Sequence, residues 1–326
     1  MHRAYSRTLQ RFRMLEALVP ESLSDDLIWI DLDNPTVEEE RAVEQWLGIE
    51  LPTREEMKDI EPSSRLYVED GATYMTAALI WKVDTDAPEL TNVGFVLFKD
   101  RLVTIRYAEP KPFRVFSAHA EREKTVLMSG AATLVTLLEG IVDRSADILE
   151  RAAAQIDEIG RGVFQPRKPG EPRRAARDLE AALTQIYLRQ NLTTKTRESL
   201  VSLGRMASFL MIAPEIVADR EWREHLKTVS RDISSLTDHA SYLLSNISFL
   251  LDASLGLVNI EQNQIIKIFS VAAVIFLPPT LVASSYGMNF EHMPELKWLF
   301  GYPMAIGMMI VSAVIPYYWF RRKGWL

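Results

Sequence analysis

The sequence predicts an α+β N-terminal domain, a long helical stalk and two membrane-spanning helices at the C-terminal end. Three observations predict it. Two apolar segments, Ile268–Tyr286 and Tyr302–Phe320, carry no charge, and each has 19 residues, close to the ~20 that cross ~30 Å of hydrocarbon. Before them lies a region with helical periodicity and very few prolines. Before that, short β-branched and aromatic runs alternate with turn signals.

Taken in order, MHRAYSRTLQRFRML has no apolar core and does not read as a secretory leader. The large N-terminal part is therefore expected in the cytoplasm. Leu27–Ile30 is suited to a buried strand. Asn34 as N-cap and Pro35 at the first position open a helix that ends at Leu47-Gly48. Thr53–Ile60 reads as a second short helix. Arg65–Val68 and Thr73–Val83 flank Asp70-Gly71, a pair that favours the type I′ hairpin turn. Val93–Phe98 and Leu102–Tyr107 flank Lys99-Asp100 as a second hairpin.

From Pro112 the pattern turns helical. Leu134, Leu138, Ile141, Ile148, Ala152, Ile156 and Ile159 mark one face of a long helix. Glycines and prolines from Gly160 to Pro172 are expected to end it, and Arg173–Met211 to form the returning helix. Pro214 is expected to open the last and longest helix, about 110 Å if continuous to Tyr286 at ~1.5 Å per residue. Ile233, Leu236, Ala240, Leu243, Ile247, Leu250, Ser254 and Leu257 make a heptad seam on it. Such a seam packs either against copies of itself or inside its own subunit. The expectation is packing between copies.

The chain has no cysteine, so disulfides and thiolate metal sites are excluded. From Gln264 onward five cations stand against two carboxylates, so the chain's net −7 leaves −10 on residues 1–263. That acidity argues against a nucleic-acid partner. Arg321, Arg322 and Lys323 follow the second apolar segment, and Lys267 lies at the start of the first, whereas the loop between holds only Lys297. The positive-inside rule puts both chain ends in the cytoplasm, with the basic tail near lipid headgroups. No P-loop, HExxH, nucleophile elbow or Cys–His pair is present, so an enzyme is not expected.

The first apolar segment ends in Gly287-Met288-Asn289, and the loop continues Met293-Pro294-Glu295-Leu296. With the flanking spans and basic tail, this resembles the GMN signature of the CorA family of divalent-cation channels over roughly the last 65 residues. The resemblance implies an αβα-sandwich cytoplasmic domain, a homopentamer in the inner (plasma) membrane, and passive Mg²⁺ uptake driven by membrane potential. Co²⁺ and Ni²⁺ are further candidate ions. The implied organisation is an αβα domain over 1–130, a helical hairpin over 131–212 and a stalk helix over 213–263. A pore helix over 264–286, an outer loop over 287–301, a second span over 302–320 and a basic tail over 321–326 complete it.

Mg²⁺ gives up its water reluctantly. A filter for the hydrated ion needs neutral acceptors, which Asn289 and the Gly287 carbonyl offer in a ring of copies. Helix capping is the simpler role for the same two residues. Asn263, Ile266, Ser270, Ala273, Leu277, Thr280 and Ser284 recur at helical spacing inward from the signature. They read as a pore lining or as a helix-packing stripe. Asn263 and Thr280 coincide with polar pore positions of the family. Ile266, Phe269 and Leu277 fall where the family has its apolar constriction. Glu291 and Glu295 would concentrate cations at the mouth, or are simply solvated. His292 alone makes a poor zinc site. Arg321, Arg322 and Lys323 would form a basic ring at the inner end. CorA-type channels are thought to close on intracellular Mg²⁺, and Asp232, Asp238 and Asp252 are candidates for that sensor. Rival functions are a ZntB-like proton-coupled Zn²⁺ transporter and a membrane-tethered sensor or scaffold without conduction.

Overall fold

The computed structural model describes residues 2–9, 11–15, 23–59, 61–123, 127, 129–164, 176–288, 293–294 and 298–325. They form two units, Met1–Leu251 and Asp252–Leu326.

The first unit is built on a seven-stranded mixed sheet in the order β2-β1-β3-β7-β6-β5-β4. Its strands are β1 (His2–Ser6), β2 (Arg11–Leu15), β3 (Leu27–Asp33), β4 (Leu66–Glu69), β5 (Ala72–Trp81), β6 (Glu89–Phe98) and β7 (Arg101–Arg106). Only β3 and β7 pair in parallel. The Asp70-Gly71 turn is as expected: both residues have positive φ, 49° and 77°, as type I′ demands. The N-terminal hairpin is an addition to the sequence reading. β1 lies between β2 and β3 and buries Ala4, Tyr5 and Ser6. The segment without an apolar run is thus an interior strand.

Helix α1 (Val37–Leu47) covers one face of the sheet. It is capped two residues later than predicted. Thr36, not Asn34, is the N-cap, in a reciprocal capping box with Glu39. Asn34 instead takes a left-handed turn, φ 49°, as its N–H bonds to the Arg106 carbonyl at 2.9 Å. Gly48 ends the helix at φ 74°. The expected second helix shrinks to one 3-10 turn, Glu56–Lys58, before the four-residue α2 (Pro62–Arg65). Leu32, Val43, Leu47, Met57, Val96 and Ile105 form the core on this side.

The opposite face packs against α3 (Lys111–Glu123), α4 (Gly130–Phe164) and α5 (Ala176–Leu210). Gly130 starts α4 in contact with the sheet: a Cβ there would lie 2.4 Å from the Arg101 carbonyl carbon. Helix α4 passes through Gly160 and runs to Phe164, into the expected Gly160–Pro172 break, and residues 165–175 before α5 lie outside the described residues. The cost of helical glycine is about 1 kcal/mol, and here Leu250 packs over the Gly160 position, 3.4 Å from where a Cβ would sit. On this face Trp29, Thr104, Asp31 and Arg106 form a chain of buried hydrogen bonds. Trp29 Nε1 donates to Thr104 Oγ1 at 3.0 Å, and Thr104 Oγ1 donates to Asp31 Oδ1 at 2.9 Å. Arg106 grips Asp31 with Nε and Nη2, both at 3.0 Å. Both charged side chains are 0% exposed.

Pro214 does not open the longest helix. It begins the four-residue α6 (Pro214–Val217), and Asp219 then caps α7 (Arg220–Tyr286) through the Glu221 N–H at 2.9 Å. The heptad seam of α7 is also corrected. Ile233, Ala240, Leu243, Ile247 and Leu250 are buried within this one chain, in the same core as α4 and α5. Glu139 pairs with His225 at 3.2 Å, so α7 runs alongside α4 from there to the Gly160–Leu250 contact. Arg197 Nε donates to Ser241 Oγ at 2.9 Å on the α5 side. The apolar seam finds partners in its own subunit because α4 and α5 present a matching groove. Tyr242 and Phe249 stand outward instead.

In the second unit, α7 continues from Asp252 to Tyr286 and α8 spans Gly301–Arg322. Both stretches are long and apolar enough to cross a membrane. The buried residues of α8 are Gly301, Ala305 and Phe320.

Candidate functional site in the membrane hairpin

On α7 the covered residues are Val271, Ile275, Pro278, Val282 and Tyr286, one turn apart. Asn263, Ile266, Ser270, Ala273, Leu277, Thr280 and Ser284 are all exposed. At 3.6 residues per turn the two sets fall on roughly opposite sides. The polar stripe therefore faces away from the hairpin partner α8. Phe269 is exposed too, at 72%, but lies off the centre of the stripe. Ala273, Phe276, Leu277, Thr280, Leu281 and Ser284 line a shallow groove on this face.

Two local features set the chemistry of the groove. Pro278 and Pro279 have no N–H, so the carbonyls of Val274 and Ile275, four residues earlier, lose their helical donors. Thr280 Oγ1 donates to the Phe276 carbonyl at 2.7 Å. That commits the hydroxyl hydrogen to the backbone and leaves its lone pairs as acceptors. On the groove face Thr280 thus offers acceptor lone pairs, the polarity that suits a cation's water shell.

At the loop end of α7 the Gly287 N–H still bonds to the Ala283 carbonyl at 2.9 Å. Gly287 does not adopt the left-handed conformation of a glycine cap. Gly287 and Met288 are exposed. Asn289, Glu291, His292 and Glu295 lie outside the described residues. Exposed aromatic residues stand at both ends of the hairpin, Trp298, Phe300 and Tyr302 near the connecting loop and Tyr317, Tyr318, Trp319 and Trp325 near the C-terminal end of α8. Aromatic residues of this kind are enriched where a span meets water. Arg321, Arg322 and Lys323 beside the second group are exposed. Lys323 Nζ sits 4.6 Å from the Trp319 ring centre. Lys267 Nζ lies 5.2 Å from the Trp325 ring and 3.4 Å from the Gly324 carbonyl. The tail is thereby tied to the start of the first span.

The candidate sensor positions on α7 are Asp232 and Asp238 in the first unit and Asp252 at the start of the second. All three are exposed. The structure brings Asp232 alone to a carboxylate row on α4 that the sequence reading missed: Glu139, Asp143 and Asp147. Partial desolvation, then Glu139, Asp147 and Asp232, push the Asp143 carboxyl above its ordinary value. The spacing of four between these acids was the available signal. Among the described residues, no three acids or histidines converge closely enough to hold an ion within one chain.

The comparisons with known proteins agree with this architecture. The family described as CorA-like Mg²⁺ transporter protein matches residues 24–322. "Magnesium transport protein CorA" of Pasteurella multocida is 36% identical over 299 residues, 92% of each chain. Among solved structures, the complete CorA magnesium transporter from Methanocaldococcus jannaschii superposes with a TM-score of 0.77 at 20% identity, covering 100% of this chain and 99% of that one. The ZntB cytoplasmic domain from Vibrio parahaemolyticus reaches 0.52 at 10% identity over 79% of this chain and 97% of its own. At such identities the solved structures speak for the fold alone. The family match and the curated relative settle membership: the chain belongs to the CorA family of Mg²⁺ transporters.

Proposed function

We propose that the chain is one subunit of a CorA-type channel for passive Mg²⁺ entry, homopentameric in the inner membrane with both termini cytoplasmic. The observation that carries it is the acceptor-rich face of α7, turned away from α8 and leading to Gly287-Met288. One chain encloses nothing on that face, so copies arranged around it would form the conduit. Asn289 and the Gly287 carbonyl then form a neutral ring that holds the ion's waters weakly enough to release it. Asn263, Ser270, Thr280 and Ser284 continue as acceptors, with Leu277, Phe269 and Ile266 as candidates for the apolar constriction. Glu291 and Glu295 gather cations at the mouth, and Arg321, Arg322 and Lys323 hold the inner end at the lipid surface. The driving force suffices: moving a divalent ion through the potential gains about 4.6 kcal/mol per 100 mV. Co²⁺ and Ni²⁺ are candidate further cargo.

The Asp143–Asp232 cluster supports closure by internal Mg²⁺. Its carboxylates repel one another, and a divalent cation shared with a neighbouring subunit would relieve that repulsion. A ZntB-like Zn²⁺ transporter is less favoured, given the fuller match to CorA.

Flux into proteoliposomes of purified protein, wild type beside Asn289→Ala, tests the proposal. Mg²⁺ entry is expected to follow voltage, to ignore a pH gradient and to change in Asn289→Ala. Zn²⁺ entry that needs the proton gradient would move the function to the ZntB type. No flux of either ion at low internal Mg²⁺ would leave a tethered sensor.

A further inference from the structure

A second site lies in the first unit. A cavity of about 220 Å³ opens between the N-terminus of α3, the end of β5 with its following turn, α4 and α5. Its walls include Lys111, Arg114, Arg144, Asp84 and Ser199.

Three features of this cavity ask for an anion. Its cations are poorly matched. Asp84 is shared by Lys111 at 3.8 Å, Arg144 at 3.9 Å and Arg151 at 3.4 Å. Arg144 reaches Asp147 only at 3.7 Å. Apart from Arg151, these separations are too long for hydrogen bonds, and Arg114 has no ion pair among the described residues. The other charges on the wall are committed elsewhere: Lys82 to Glu89 at 2.9 Å and Glu109 to Arg3 at 3.3 Å. Next, the 13-residue α3 begins at this wall. Its N-terminal turn carries a partial positive charge, which favours anions, although Pro112 has no N–H and the Phe113 N–H is taken by the Pro110 carbonyl at 3.2 Å. Yet that turn holds Lys111 and Arg114 and no acid, which stacks positive charge on a positive helix end. Lastly, Ser199 lines the cavity, is 1% exposed, and its hydroxyl has no hydrogen-bond partner. The neighbouring Ser145 hydroxyl, by contrast, donates to the Ile141 carbonyl at 2.9 Å, which leaves the Ser199 hydroxyl available to a ligand.

We propose that this cavity binds a small phosphate-class oxyanion, with Lys111 and Arg144 as charged ligands and the Ser199 hydroxyl as a neutral donor. The volume falls below the ~300–1,000 Å³ of sites for drug-sized ligands. It fits inorganic phosphate or a phosphate group on a small carrier. Arginine is suited to the role because its fork matches a tetrahedral oxyanion.

The test is calorimetric titration of full-length protein in detergent, free of Mg²⁺, with sodium phosphate and with sodium chloride at matched ionic strength. Wild type should give a saturable response to phosphate alone. Loss of one charge-assisted contact should weaken it about tenfold or more in Lys111→Gln and in Arg144→Gln. Ser199→Ala should weaken it less, while its melting temperature without phosphate stays level or rises. Should Arg144→Gln fail to fold, Lys111→Gln carries the comparison, since that side chain is on the surface. Equal responses to phosphate and chloride, or unchanged phosphate binding in Lys111→Gln, would overturn the proposal. The readout uses no ion flux, so it is independent of the transport function.

Discussion

Leu243→Ala separates the two ways in which the α7 seam could be used. Leu243 is 2% exposed and sits between Ala240 and Ile247 in the core shared with α4 and α5. Truncating a buried leucine costs about 2–5 kcal/mol, depending on how far the site collapses. Collapse is limited here, because α4 and α5 are themselves 35-residue helices fixed to each other and to the sheet. A cost of about 3 kcal/mol is therefore expected. For a unit of this size that lowers the melting temperature by roughly 6–12 °C. Thermal unfolding followed by circular dichroism measures it, with native mass spectrometry to follow the oligomer. The neighbouring Tyr242→Ala is the control: Tyr242 is 64% exposed and its loss should leave the melting temperature almost unchanged. A seam that joined copies would behave differently. Leu243→Ala would then dissociate the assembly with little change in melting temperature, and that result would refute the intrachain packing.

Two other predictions concern charge. Asp31→Asn should destabilise the first unit by about 3 kcal/mol, the low end of the cost of breaking a buried pair, because Asp33 remains 3.1 Å from Arg106; chemical denaturation measures it. For Asp143 the folded-state pKa is raised above 3.8, so the folded chain binds more protons than the unfolded one between 3.8 and the raised value. Stability from this group therefore falls as pH rises through that window. Asp143→Asn should flatten that part of the pH–melting profile and raise the melting temperature at neutral pH. Mg²⁺, which offsets the same repulsion, should stabilise wild type more than Asp143→Asn. Equal stabilisation of both would remove Asp143 from the regulatory role.

Much of the fold was legible because its signals are local. Asp70-Gly71 forms its turn through two positive φ angles that those residue types tolerate, and Gly48 ends α1 for the same reason. The two uncharged 19-residue segments became the hairpin helices, since length and apolarity are properties of a segment alone. What misled were local signals that tertiary partners outweighed. Gly160 lies within a helix because Leu250 packs on it. Asn34 lost the cap to Thr36 because its N–H is held by Arg106 on β7. The strand at His2–Ser6 lacks an apolar run but gains two neighbouring strands.

The candidate site divides in the same way. Helical spacing alone placed Asn263, Ser270, Thr280 and Ser284 on one face, since the period of the helix is intrinsic. That this face points away from α8, and that the Thr280 hydrogen is committed to Phe276, depended on neighbours. The sequence by itself determined the membrane hairpin, its polar stripe and the family signature at Gly287-Met288-Asn289. Only the tertiary structure decided that the α7 seam is consumed by α4 and α5, that Asp232 meets Asp143, and that Ser199, Lys111 and Arg144 share one cavity. Those pairs are tens of residues apart, and which apolar or charged faces meet is set by packing over the whole unit, not by any stretch of chain alone.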